Sequence, residues 1–238
     1  MMEEGFMVKS DILSAKKVNH LYWLGRYEER VYMTLHFMHK CYDKMIDGDP
    51  DDYMDLWHKL DLTGIYSTKE EFTLGMLYDE QNPTSLISSQ RCAMDNAILL
   101  REDILSETLS YLEMSTALLR RCKAENQVNL VFLQSIIDWS LAFWGSAEQR
   151  SQNYRALTIM LLGRHVELID MLIRFGYPYA RIEIAYEWLK RQISELPELI
   201  DSEAADVLDQ LVNPDDFNLE NEEYKDKLLK YVNQVVRA

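Results

Sequence analysis

The motif Leu-Gly-Arg-x-x-Glu stands at residues 24–29 and again at 162–167. Aligned at an offset of 138, the segments 21–37 and 159–175 share Leu24 with Leu162, Gly25 with Gly163, Arg26 with Arg164, Glu29 with Glu167, Met33 with Met171 and Phe37 with Phe175. Unrelated segments of this length share roughly one residue, so the pattern predicts an internal duplication, with two helix-containing halves in pseudo-symmetric positions. Arg26, Glu29, Met33 and Phe37 follow i, i+3, i+7, i+11 spacing, which is one face of a helix. Met and Phe mark that face as buried, so each Arg–Glu pair points inward. An inward charge needs a partner, because leaving it alone costs several kcal/mol. Two arrangements meet that need. In one, Arg26 and Glu29 pair with Glu167 and Arg164 across a pseudo-two-fold axis and lock two central helices. In the other, the four groups line a polar pocket where Arg holds a carboxylate or phosphate and Glu holds an amine or acts as a base. Gly25 and Gly163 cost about 1 kcal/mol each inside a helix; close approach of another helix backbone accounts for that cost.

Apolar residues at three- and four-residue steps (Val18, Leu21, Leu24, Val31, Leu35, Met38) predict a helix over 14–46. Asp47-Gly48-Asp49-Pro50 stops it. Shorter helices are predicted at 51–61 and about 70–78. Asn82-Pro83-Thr84-Ser85 reads as a helix start for 84–122, with Leu86, Gln90, Ala93, Ala97, Leu100 and Ile104 on its inner face. Further helices are predicted at 126–144, 148–175, 179–194, 201–212 and 222–236, punctuated by Gly145 and Gly176-Tyr177-Pro178. No segment alternates with period 2. The expected fold is all-α: a helical bundle with two pseudo-repeated halves and an acidic C-terminal helical extension. The expected division is an N-terminal segment 1–13, a bundle 14–194 and an extension 195–238. The extension is acidic because 195–226 holds twelve Asp or Glu and one Lys. It reads as a solvated face, with docking of a basic partner as the sharper alternative.

Charge and cysteine usage narrow the function classes. A net charge of -15 argues against nucleic acid and against an anionic membrane surface. No uncharged stretch reaches membrane-spanning length, and the start MMEEGFMVKSD lacks a signal-type apolar run. Cys41, Cys92 and Cys122 show no CxxC spacing, so reduced thiols and a cytoplasmic setting are expected. His36, His39 and Asp43 share a helix face, but surface polar positions explain them more simply than a metal. Asp47–Asp51 begins like a calcium loop, then fails at Asp52 and His58. No metal and no cofactor are expected; there is no phosphate loop, HExxH or G-x-S-x-G motif. Tyr22, Trp23, Tyr27 and Tyr32, and separately Trp139, Phe143 and Trp144, read as packing aromatics.

Three blocks carry a family likeness: LYWLGRYEER at 21–30, NPTSLISSQRCAMDNAILLRE at 82–102 and LLGRHVELID at 161–170. In this order they resemble the bacterial alpha-E domain family over roughly residues 14–176. The resemblance implies an all-helical protein. It also implies a place in a peptide- or amide-forming system, encoded or fused with a circularly permuted ATP-grasp ligase and sometimes a transglutaminase-like protein. The chain departs from the family pattern at Met94 and Ile98, where the middle block carries Arg, while Asp95, Asn96 and Arg101 remain. Leu168 stands where Arg follows Glu, and His165 stands opposite Tyr27. An anion site built from the full set of arginines is correspondingly weakened.

The expectation is therefore a scaffold or binding subunit that partners an ATP-grasp-type ligase and helps bind a peptide or amino-acid substrate. A stand-alone enzyme using the Arg/Glu pairs as carboxylate clamp and base is the alternative, as is a purely structural bundle; a homo-oligomer stays open. The candidate binding residues are Arg26, Glu29, Arg164 and Glu167, then Tyr27, His165, Asn96 and Arg101.

Overall fold

The computed structural model describes residues 13–47, 59, 65, 66, 68–126 and 130–237, with side chains at all of these except 41–47, 130 and 132. Helices dominate: α1 (Ala15–Asp47), α2 (Lys69–Tyr78), α3 (Leu86–Leu99), α4 (Arg101–Ala124), α5 (Leu130–Arg150), α6 (Tyr154–Arg174), α7 (Tyr179–Glu195), α8 (Ser202–Leu211) and α9 (Glu222–Gln234). No strand occurs among the described residues; one isolated antiparallel bridge joins Ile200 to Val236. The all-α reading holds. The expected helix at 51–61 and the Gly48–Pro50 stop lie outside the described residues.

The core forms around α1 and α6. From Thr158 to Ile173 helix α6 is buried on nearly every face, which is the pattern of a helix with neighbours all round. It packs most extensively on α1, with α7 on another side; α3 and α5 also cover α1, and α9 covers α6. Tyr22 lies against Gly163, Arg26 against Glu167, and the rings of Phe37 and Phe175 stack at 3.7 Å. Contacting residue numbers therefore rise together along both helices, so α1 and α6 run parallel, as two copies related by an axis along their common direction.

The two motif glycines set this packing. A Cβ on Gly25 would lie 2.0 Å from the carbonyl oxygen of Met160, and one on Gly163 would lie 2.0 Å from that of Tyr22. Met160 and Tyr22 are themselves related by the 138-residue offset, so the contact is reciprocal. Each glycine Cα reaches a carbonyl of the facing helix, a distance no side chain permits.

Several boundaries differ from the sequence expectation. The segment 84–122 is not one helix. It breaks at Leu100, and Leu105 interrupts α4 in an extended positive-φ conformation (φ 64°, ψ 156°) that costs a leucine about 1–3 kcal/mol. The break turns both Leu100 and Ile104 into the core. Helix α3 starts at Leu86 under a Ser85 cap, while Asn82 closes a turn by accepting from Thr84 N at 2.9 Å. Gly145 does not end a helix. It is exposed and α5 runs through it to Arg150, because Phe143 and Trp144 anchor the helix on its inner side. The next helix starts at Tyr154, where Asn153 accepts from Ala156 N at 2.9 Å.

The C-terminal segment closes on itself, with Asp201 N donating to Val235 O at 2.9 Å and Arg237 N to Leu199 O at 2.8 Å. Helix α9 ties it to the bundle, burying Leu228 and Val232 and bonding Arg26 and Asp170 through Asn233.

Substituting either crossing glycine tests this packing. Gly25→Ala and Gly163→Ala should each lower stability by about 3 kcal/mol or more, since the clash is with backbone. Gly145→Ala, with nothing within 4 Å, should gain about 0.5–1 kcal/mol. Denaturant melts of the three variants give the comparison; equal shifts would contradict the close crossing.

Candidate functional site

The four inward charges pair across the α1–α6 seam. Arg26 Nε donates to Glu167 Oε2 at 2.7 Å, and Arg164 Nε donates to Glu29 Oε2 at 3.1 Å. The reciprocal network expected from the repeat is present. It is not symmetric, because Arg30 donates through Nε (2.5 Å) and Nη2 (3.0 Å) to both oxygens of Glu167. The matching position in the other half is Leu168. Glu167 thus receives two guanidiniums and Glu29 one.

That inequality separates the two carboxyls. Burial raises the pKa of both. At Glu167 the guanidiniums of Arg26 and Arg30 outweigh burial and hold it below the usual range. At Glu29 Arg164 offsets burial only in part, and the carboxyl is pushed up. Arg164 also reaches Glu148 at 3.3 Å and lies over the Trp144 ring at 4.4 Å.

On the Glu167 side the network opens into a cleft of about 400 Å³. Helix α1 contributes Arg26, Arg30 and Thr34, and α6 contributes Glu167, Asp170 and Arg174. The turn Asn82-Pro83-Thr84 before α3 forms a third wall, and Asn233 from α9 a fourth. The cleft therefore collects residues from all three blocks that carry the family likeness. Asn233 ties the walls together. Its Oδ1 accepts from Arg26 Nη2 at 2.8 Å, and its Nδ2 donates to Asp170 Oδ1 at 2.6 Å. Asp170 Oδ2 accepts from Arg174 Nε at 2.7 Å.

The remaining sequence candidates sit outside the cleft. Tyr27 is half-buried against Trp23, with Arg30 over its ring. His165 is buried, and its Nδ1 pairs with Gln192 Oε1 at 2.7 Å, so that nitrogen carries the proton. Burial pushes its pKa down to about 4. Asn96 pairs with His20 at 2.7 Å and donates to Cys92 O. Arg101 is exposed at the start of α4. Conversely, Arg30, Asp170, Arg174 and Asn233 join the network without having been singled out. Arg30 stands four residues after Arg26, and Asp170 and Arg174 stand three and seven after Glu167, so continuing the same helical stripe finds them. Asn233 has no local signal. Among the described residues no group of three metal-ligating side chains occurs; the Asp43 side chain lies outside them.

A further buried acid lies off this network. Glu28 occupies the position matched by Val166 in the other half, and it is 1% exposed. Ser140 lies close enough to lower its pKa, yet no hydrogen bond reaches Glu28 Oε2. Burial dominates and pushes the carboxyl up to about 7.

A family model named Alpha-E, described as a predicted alpha-helical domain with a conserved ER motif, matches residues 13–204. The chain belongs to the Alpha-E family. Its only Glu-Arg dipeptide is Glu29-Arg30, at the centre of the paired charges. No curated protein and no solved structure matches the chain.

Breaking the network should be costly. Glu167→Gln leaves Arg26 and Arg30 facing a neutral amide, and a loss of about 3–5 kcal/mol in a denaturant melt is expected. Glu28→Gln should act the other way. Between pH 4.5 and about 7 the native state keeps a proton on Glu28 that the unfolded chain has released. Stability therefore falls as pH rises through that window, by up to about 3 kcal/mol. His165 acts oppositely between about 4 and 6.5, losing stability as pH falls. Melting curves should show Glu28→Gln more stable than the parent at pH 8 and nearly equal to it at pH 5. A variant less stable at pH 8 would contradict the buried, protonated acid.

Proposed function

We propose that this Alpha-E chain is a helical binding and scaffold subunit of a peptide- or amide-forming system, working beside an ATP-grasp-type ligase. The observation that carries the reading is the convergence, on one charged cleft, of three sequence blocks lying up to 140 residues apart. Packing alone does not require the blocks of a bundle to meet at an opening. A binding surface does, because its polar groups must surround one ligand.

The enzyme alternative draws less support. A general base needs a free lone pair and a pKa near the working pH. Glu167 has both oxygens engaged by guanidiniums and a depressed pKa. Glu29 is 2% exposed and held by Arg164, and Glu28, whose carboxyl is pushed up to about 7, is 1% exposed and does not line the cleft. Such groups hold helices and orient neighbours better than they move protons. Bond formation then belongs to the ligase, and this chain positions the peptide or amino acid for it.

Reconstitution tests the partnership. The purified chain and the permuted ATP-grasp ligase from the same source should co-elute in gel filtration, and omitting the chain should stop amide formation. Full activity by the ligase alone would reject the reading.

A further inference from the structure

We infer that the cleft beside Arg30 and Glu167 is a carboxylate site, taking the free carboxyl group of an amino acid or short peptide with Arg30 as its principal contact. The inference deepens the binding role proposed above and rests on it for the ligand's place in the system, but not for the ligand's chemistry.

Charge is the first argument. Asp170 is bonded by Arg174, and Glu167 sets one negative charge against the two positive charges of Arg26 and Arg30, so the shared carboxylate leaves one positive charge at the cleft wall. The whole chain carries -15. A positive island in so acidic a protein is a selective place for an anion. One carboxylate neutralises it. A phosphate dianion would leave the cleft negative, inside a protein whose wider field already opposes it.

The donors give the second argument. Arg26 has spent Nε on Glu167 and Nη2 on Asn233. Arg30 uses Nε and Nη2 on Glu167, and its Nη1 meets no acceptor among the described residues. Its side chain is 22% exposed where it borders the cleft. A guanidinium fixed on one edge by a carboxylate and free at another nitrogen is a preorganised donor, since the fork has already lost its side-chain freedom. The cleft volume falls within the range of small-molecule sites. Ile65, Pro83 and Met171 supply apolar wall for the body of an amino acid. Asn233, from outside the matched span 13–204, holds Arg26 and Asp170 in register, so the C-terminal helix completes the wall.

Calorimetric titration of the purified full chain tests the assignment without the ligase. The probes are the tripeptide Ala-Ala-Ala, its C-terminal amide and sodium phosphate, each to about 10 mM, the range of weak single-contact binding. The free acid should bind, the amide should bind at least about tenfold more weakly, and phosphate should bind more weakly than the acid. Arg30→Lys should weaken the acid by about tenfold through loss of the fork. Because Arg30 also supports Glu167, a second variant is needed: Pro83→Glu at the exposed rim adds a competing carboxylate, and it should weaken binding with the melting temperature unchanged. Equal affinity for acid and amide, no binding of either, tighter binding of phosphate, or an unaltered Pro83→Glu variant would each overturn the assignment. Failure here leaves the ligase partnership standing, and failure of the reconstitution leaves carboxylate binding standing.

Discussion

Two glycines let two helix backbones touch, and the charged centre depends on that contact. With Gly25 against the Met160 carbonyl and Gly163 against the Tyr22 carbonyl, α1 and α6 run closer than side chains allow. At that separation an arginine one residue past the glycine on one helix reaches the glutamate of the other. Arg26 meets Glu167 and Arg164 meets Glu29 for the same geometric reason. A wider seam would leave those charges buried and unsatisfied, at several kcal/mol each. The glycine, the arginine and the glutamate of the motif are therefore one device. The glycine's helix-propensity cost is offset by the contacts that the crossing permits.

The repeat explains the frame, and departures from it explain the cleft. Where the halves agree (Gly, Arg, Glu, Met, Phe) the residues build the seam. Where they differ, one side becomes polar and open. Arg30 is matched by Leu168, Asp170 by Tyr32 and Arg174 by His36. The polar member of the first two pairs, and the permanent cation of the third, lines the cleft beside Glu167. The opposite side keeps a single guanidinium on Glu29, backed by the Trp144 ring. Glu28 against Val166 follows the same divergence, with an acid standing in a slot whose twin is apolar, and burial there pushes its carboxyl up to about 7. The repeated motif gives the seam two equivalent faces, and the positions that differ between its copies make them unequal.

Much of this was legible in the chain. The offset of 138 located the central pair and its partners, and the i, i+3, i+7 spacing told which way the charges point. Arg30 was legible in principle, since it falls on the Arg26 stripe, but it reads as an ordinary surface arginine until its neighbour is known. Asn233 was not legible. It comes from a helix 207 positions away from Arg26, and one asparagine in an amphipathic helix carries no mark of its partner. The breaks at Leu100 and Leu105 were hidden because no Gly or Pro announces them; core packing of Leu100 and Ile104 overrides helical continuity there. Gly145 misled in the opposite direction, since a glycine's cost of about 1 kcal/mol is small beside two anchoring aromatics.

The acidity of the chain and its basic cleft make sense together. A chain carrying a net -15 repels polyanions at long range. A small monoanion feels that repulsion far less, because its interaction energy scales with its own single charge. Close to the cleft the local guanidiniums take over, and at contact distance they outweigh the distant carboxylates, which salt screens beyond about 10 Å. For the carboxylate proposed above, the overall charge would act as a coarse filter and the cleft as a fine one. The fine filter needs an arginine held in place without being fully neutralised. Glu167 achieves this by sharing one carboxylate between Arg26 and Arg30, which leaves the pair with a positive charge to spare.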